Sequence, residues 1–411
     1  MEVVHSNKFI YARLSILIFM QYFNSGILVP IISLYLIKVL NFSGAAAGII
    51  LSLSSLASIL SSVIGTFVAN KFITVERMLA ICYFFGALLM LYLTTQNNFI
   101  CVLINYFLYS LFIGCTNSAA TTIVFQKQKN SHKDLGKIQL WGSFGWVFAS
   151  WVFSFLSLKI NDVLMISAII SFVISIYSLT FSKSDINKHE KKKIIPREAL
   201  SIITKPQNVI MIILLPIIFT CLQYYFFGLA PFLQQNGYKN TNIMPLMSIA
   251  QVAEVIALFV LGYFLERLNY KKVFLLGLVL SLFRFVSLGL GYTMVLVLPA
   301  LACQGFAFAF VFIAAFIYFN GQCKDSLEQA GVQQIMGILV YGIGGSLGSL
   351  LGGKAMSMFE SDNLKIVNYA MFWAIPAIIN AIWIVILYLF FKEVDERQVP
   401  KKAPIAEEQL I

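Results

Sequence analysis

The stretch "SKSDINKHEKKKIIPREALSIITKPQ", residues 182–207, is the longest polar interruption in the chain. On both sides of it the sequence is apolar for most of its length. The whole chain of 411 residues is 59% hydrophobic and only 11% charged, whereas soluble domains run near half apolar and about a quarter charged. A membrane-spanning helix needs about 20 mostly apolar residues. Six such stretches precede the interruption and six follow it. The segment therefore reads as a linker between two membrane-embedded halves, and its position decides the fold.

The expected spans are 12–37, 44–69, 78–95, 98–125, 138–158, 163–181, 208–235, 244–265, 272–292, 294–319, 329–357 and 365–391. Lipid cannot satisfy a free backbone amide, so each span must be a helix. The expected fold class is all-α, a polytopic membrane protein with twelve transmembrane helices in two six-helix halves. The first half occupies 1–181, the linker 182–207, the second half 208–391 and a tail 392–411. A second trace of duplication is the short loop after the second span of each half, "GTFVANKFITVER" (65–77) and "GYFLERLNYKK" (262–272). Both open on glycine and carry basic residues. Two six-helix halves around a central path resemble the plan of the major facilitator superfamily of secondary transporters.

The formal charge is +11. With the N-terminus placed in the cytoplasm, 23 of the 29 lysines and arginines fall on the inner side. That asymmetry sets the orientation and explains the basic balance without a nucleic-acid partner. Both termini are expected in the cytoplasm, and the protein in the inner membrane of a bacterium, embedded in the lipid bilayer as a monomer. The N-terminal run after Lys8 and Arg13 is too long for a signal-peptide core and reads as the first span. The six cysteines form no CxxC pair, and His5, His132 and His189 fall in expected loops. The cysteines read as small buried hydrophobes, and no metal or cofactor is expected. Paired membrane acids, a membrane histidine and a phosphate-cradling glycine loop are all missing from the sequence, which argues against an enzyme.

A charge at the membrane core costs about 2.5–3.5 kcal/mol on insertion scales. Only Glu254 and Arg284 fall well inside expected helices. Glu254 lies in "SIAQVAEVIALFVLG" (248–262), one turn after Gln251 on the same face. A carboxylate beside an amide suits a polar solute with donor groups, or a proton carrier. A structural ion pair with Arg284 is the alternative. The fifth span opens "KIQLWGSFGWVFASW" (137–151), with Gln139, Ser143 and Trp146 on one stripe. The seventh holds "CLQYYFFGLAPF" (221–232), where Gln223 and Phe226 share a face. The tenth holds "CQGFAFAFVF" (303–312), with Phe308 among alternating aromatics, and the first offers Gln21 and Asn24. Amides beside aromatic faces suit a flat polar ring. In "YGIGGSLGSLLGG" (341–353), Gly344, Gly348 and Gly352 form a smooth stripe for close helix packing or for sliding.

These stretches are similar to the nucleoside:proton symporter family of the major facilitator superfamily. The resemblance covers nearly the whole chain. It is closest in "LSILIFMQYF", "IQLWGSFGWVFASWV", "SIAQVAEVI", "LFRFVSLGLG" and "GIGGSLGSLLGG". It implies solute contacts from Ser143 and Trp146, from Gln223, and from Gln251 and Glu254. It also marks departures. Relatives place an arginine where this chain has Gln139, an aspartate at Ala309, an asparagine at Phe226 and a loop aspartate at Asn70. The changes at 139 and 309 cancel in charge, so neither leaves a buried partner alone. They also leave Glu254 as the one carboxylate expected in the cavity.

The expected function is a secondary transporter for nucleosides or a similar small polar solute, coupled to protons through Glu254. Gln139, Ser143, Gln223 and Gln251 would supply hydrogen bonds, and Trp146 and Phe308 stacking faces. An uncoupled facilitator, a symporter for a sugar or aromatic acid, and a non-transporting sensor with a transporter-like body are the alternatives.

Overall fold

A computed structural model of the protein describes residues 2–71, 73–127, 131–182, 197–324, 326–361 and 365–392. Most of the expected linker (183–196) and the tail beyond Lys392 lie outside the described residues. Each expected span is a helix: α1 (Phe9–Val39), α2 (Gly44–Lys71), α3 (Val75–Leu93), α4 (Phe99–Val124), α5 (Ser131–Phe155), α6 (Asp162–Leu179), α7 (Pro206–Gln235), α8 (Asn240–Arg267), α9 (Tyr270–Leu290), α10 (Met294–Gly321), α11 (Glu328–Met358) and α12 (Tyr369–Phe390). Among the described residues, eleven helices are long and apolar enough to cross a membrane. The twelfth expected crossing, α5, is a 25-residue helix whose sequence opens with Lys133, Asp134 and Lys137. The cysteines are all free thiols, and Cys82, Cys115, Cys221 and Cys323 are buried.

The packing repeats with a shift of six helices. In the first half α1 lies on α5, α2 on α4 and α3 on α6; in the second α7 lies on α11, α8 on α10 and α9 on α12. The halves meet through α2 on α11 and α5 on α8, and the same shift relates those two contacts. Such pairing is what a duplicated six-helix unit produces when its copies face each other across a two-fold axis.

The apolar core shows where the halves are joined. One cluster takes in the second half together with Ile27, Leu36, Ala47, Met90, Tyr106 and Phe153, from the ends of the first-half helices remote from the linker. At the linker end the first half has a separate core, built from Leu14, Leu17, Leu79, Ile123, Ile138 and Ile174. Polar contacts tie that end to itself. Arg13 donates to the Thr180 carbonyl at 2.7 Å, and Lys127 pairs with buried Glu76 at 3.1 Å while donating to the Ser182 carbonyl at 2.6 Å. Glu76 is a buried charge that the sequence pattern does not reveal. The halves are therefore fused at the face remote from the linker and divided at the linker face.

Glycine makes the fusion. A Cβ on Gly48 would lie 2.9 Å from the Gly353 Cα, and one on Gly353 2.7 Å from the Gly48 Cα. No side chain fits there without parting α2 from α11. Two hydrogen bonds cross at the same seam: Ser346 Oγ to the Ser52 carbonyl at 2.8 Å, and Ala45 N to Ser357 Oγ at 2.9 Å. Overpacking such a contact costs about 1–3 kcal/mol. Gly48→Val should therefore open this face. A cysteine placed at buried Ser349 should then react several-fold faster with a water-soluble maleimide than in the Gly48 parent. An unchanged rate would show that the seam does not depend on the glycine contact.

Candidate functional site

Helix α5 approaches α1 through small residues. A Cβ on Gly142 would meet the Tyr22 ring at 2.9 Å, and one on Gly26 would meet the Trp146 Cα at 2.8 Å. This close approach sets the height of Gln139, Ser143 and Trp146 beside α1. In the second half, Gly305 of α10 presses on α8 so closely that a Cβ there would run into the backbone of Ala250 and Glu254. Gly348 of α11 likewise seats on α7, 2.6 Å from the Gln223 Cβ by the same test. Trp146, Gln223 and Glu254 are thus each fixed by a glycine of the facing helix.

Gln139, Ser143, Trp146, Gln223, Phe226, Gln251, Glu254 and Phe308 are all half-buried, neither sealed in the core nor on the open lipid face. Among the described residues, no hydrogen bond or ion pair engages the side chains of Gln139, Ser143, Gln223, Gln251 or Glu254. These groups offer donors and acceptors that the protein does not use itself. Two tyrosines border these helices: the Tyr22 ring of α1 lies against Gly142 of α5, and the Tyr341 ring of α11 against Phe219 of α7. The expected positions lie on α5, α7, α8 and α10, and α5 packs on α8 across the two halves. A chain of aromatic contacts leads away from Tyr341. Its ring meets Phe219 at 4.9 Å, Phe219 meets Phe312 at 5.5 Å, and Phe312 meets Phe308 at 5.4 Å. Phe308 precedes a π-helical turn, Ala309–Ile313, and Tyr341 sits inside another, Ile338–Gly344. Such turns re-aim side chains within a helix and recur at functional sites.

Two expectations are corrected. Gln21 and Asn24 do not line the site: they are 1% and 3% exposed. Asn24 donates to Ser171 Oγ at 3.0 Å and accepts from Ser167 Oγ at 2.8 Å, holding α1 to α6. The signal was present as Ser167 and Ser171, one turn apart on α6, which supply complementary hydroxyls. Tyr22 of α1 lies instead against Gly142 of α5. The alternative of a Glu254–Arg284 ion pair also fails, since no such contact exists among the described residues. Arg284 is fully buried between the rings of Phe285 and Tyr225, its guanidinium carbon 4.2 and 4.7 Å from their centroids. It donates to Ser281 Oγ at 3.0 Å. Cation–π contact and one hydroxyl take the place of a counter-ion.

The match to known proteins agrees with this arrangement. Residues 9–396 fit the family model described as Nucleoside H+ symporter. The chain belongs to the nucleoside:proton symporter family. The xanthosine permease of Escherichia coli (strain K12) is 25% identical, over 92% of this chain and 95% of that one. The nucleoside permease NupG of the same strain is 24% identical, over 89% and 92%. A crystal structure of NupG in an aspartate-to-alanine mutant form superposes with a TM-score of 0.86 at 22% identity, covering 93% of this chain and all of that one. The fold is the major facilitator fold. As a symporter-family member the protein is a proton-coupled nucleoside transporter and not an enzyme.

At this candidate site, removing one partner of a buried hydrogen bond costs about 1–3 kcal/mol, or roughly 5–150-fold in affinity. Glu254→Ala, which removes both donor and acceptor, should weaken uridine binding to the purified protein by that factor. An unchanged dissociation constant would remove Glu254 from the solute site.

Proposed function

We propose that this transporter imports nucleosides with protons across the cytoplasmic membrane, by alternating access around Glu254. The observation that carries the reading is the placement of this carboxylate: central in a span, half-buried, without a hydrogen-bond or ion-pair partner among the described residues, and on α8, the helix that packs on α5 of the other half. Gln139, Ser143, Gln223 and Gln251 would bond the sugar and base, with Trp146, Phe226 and Phe308 as ring faces. The six-helix halves, 1–181 and 208–391, would rock as units about the site. A single chain holds both, so the working unit is a monomer.

The linker face is assigned to the cytoplasm from its lysines and arginines. The halves are fused at the other face, so this conformation is closed to the outside. Coupling then follows from solvation. An ionised carboxylate enclosed away from water is expensive unless a proton or hydrogen-bond donors meet it. Rocking with a charged, empty site is disfavoured, whereas a proton or a bound solute relieves the penalty. Gln139 and Ala309 favour one rival, an uncoupled facilitator. Ala309 is fully buried, and α10 contains no charged residue at all.

Reconstituted liposomes decide between these readings. Uridine uptake should rise several-fold when an inward proton gradient is imposed. Glu254→Gln should abolish the stimulation while leaving slow exchange of uridine across the membrane. Uptake indifferent to the gradient in the parent protein would favour the facilitator.

A further inference from the structure

Helix α4 is not continuous. One helical run ends at Gly114 and the next begins at Thr116, so the span breaks at Cys115. Side chains hold the break. Cys115 Sγ donates to the Phe112 carbonyl at 3.4 Å, Thr116 Oγ1 to the Ile113 carbonyl at 2.7 Å and Ser118 Oγ to the Cys115 carbonyl at 2.9 Å. Gln21 of α1 donates to the Thr116 carbonyl at 3.4 Å.

Three helices meet at this point. The Cys82 thiol of α3 lies 3.5 Å from the Cys115 thiol, sulfur to sulfur. One residue on in each helix, the Tyr83 hydroxyl and Thr116 Oγ1 are 3.4 Å apart. On the α2 side, a Cβ at Gly65 would lie 2.5 Å from the Cys115 Cβ. Cys115 therefore cannot swing toward α2, and its sulfur stays beside Cys82. Both are free thiols, 7% and 4% exposed, within the first-half core at the linker end. Water comes close to them. Asn117 and Ser118, just past the break, are exposed, and Thr121 and Thr122 continue the polar face one turn on. Such a face is costly against hydrocarbon, so it fronts the opening between the halves at the linker end.

Two sulfurs in contact are the one pairing here that can become covalent with little movement. They need approach by only about 1.5 Å to reach the length of a disulfide. We propose that Cys82 and Cys115 are a redox pair that pins the bend of α4 when a peroxide oxidises it. The Cys115 sulfur attacks one peroxide oxygen, the O–O bond breaks, and a sulfenic acid and one water form. The Cys82 sulfur then attacks the Cys115 sulfur, the S–O bond breaks, and a second water leaves. The two thiols give up two electrons and two protons, and the peroxide takes both to become two waters.

The bond would fix the break to α3, and with it the inner run Thr116–Lys127, which carries the Lys127–Glu76 pair. Rocking then slows, because the break can no longer change its angle as one face closes and the other opens. Disulfides on the cytoplasmic side are usually transient and redox-sensing, which suits a device that lowers uptake while an oxidant is present.

The test compares the purified parent with Cys82→Ser and Cys115→Ser, each treated with hydrogen peroxide in liposomes. After digestion without reductant, mass spectrometry should find the peptides holding Cys82 and Cys115 joined in the parent, and separate once dithiothreitol is added. Uridine uptake by the parent should fall several-fold in peroxide and recover in dithiothreitol. Each variant should transport near the parental rate and keep that rate in peroxide; two variants guard against one that fails to fold. Absence of the joined peptides would overturn the proposal. So would a joined parent whose uptake is unchanged. Equal inhibition of the parent and both variants would place the sensitive thiol at another cysteine and overturn it as well. The joined peptides are read whatever the solute, so a protein that ignores uridine fails the nucleoside reading and not the redox pair.

Discussion

Hydrocarbon offers no hydrogen bonds, and the rest of this structure follows from that. Every backbone amide in a span must find its partner inside the helix. Every polar side chain there must find one from a neighbour, or be left for water and solute. The protein uses three solutions. Asn24 is matched by Ser167 and Ser171. Arg284 is enclosed by Phe285 and Tyr225 with Ser281. Glu254 has no hydrogen-bond or ion-pair partner among the described residues. Of the three, this arrangement leaves a charged group ready to bind and release, and the proposed function rests on it.

The same constraint explains what was legible in the sequence. Span lengths follow from membrane thickness, so helix positions could be read: among the described residues eleven are long and apolar enough to cross, and the expected fifth span is also a helix. Glu254 stood out because an unneeded charge in lipid is costly. Gln21 and Asn24 misled because amides in a span look alike whether a neighbour satisfies them or a solute does. Distinguishing them needs the facing helix, α4 for Gln21 and α6 for Asn24, and helix pairing is a long-range property. Glu76 lay hidden at a helix start, where an acidic residue is ordinarily solvated.

The glycines connect packing to movement. Gly44 and Gly48 let α2 lie backbone to backbone against Gly353 of α11. Contact of this kind is held by van der Waals packing and two hydrogen bonds, since apolar area gives little drive between helices in lipid. It is tight when made and inexpensive to break. The core of the first half at the linker face is already separate from the second half. Opening one face and closing the other exchanges contacts of similar kind. Two states related by such an exchange differ by only a few kcal/mol, within reach of one solute and one proton.

The family resemblance implies an arginine and an aspartate in relatives where this chain has Gln139 and Ala309. Ala309 is sealed at the start of a π-helical turn, so an aspartate there would be costly without its arginine. Removing both charges is the change that hydrocarbon tolerates. The consequence falls on Glu254. With a second carboxylate, one acid can hold the proton while the other holds the solute. With one, the same group must serve both, in turn or together. If the protonated carboxyl donates to the solute, proton and nucleoside stabilise each other and move together. If the solute requires the ionised form, they compete, and coupling can arise only as exchange. With Glu254 as the proposed coupling group, symport requires that the nucleoside present an acceptor to its protonated form.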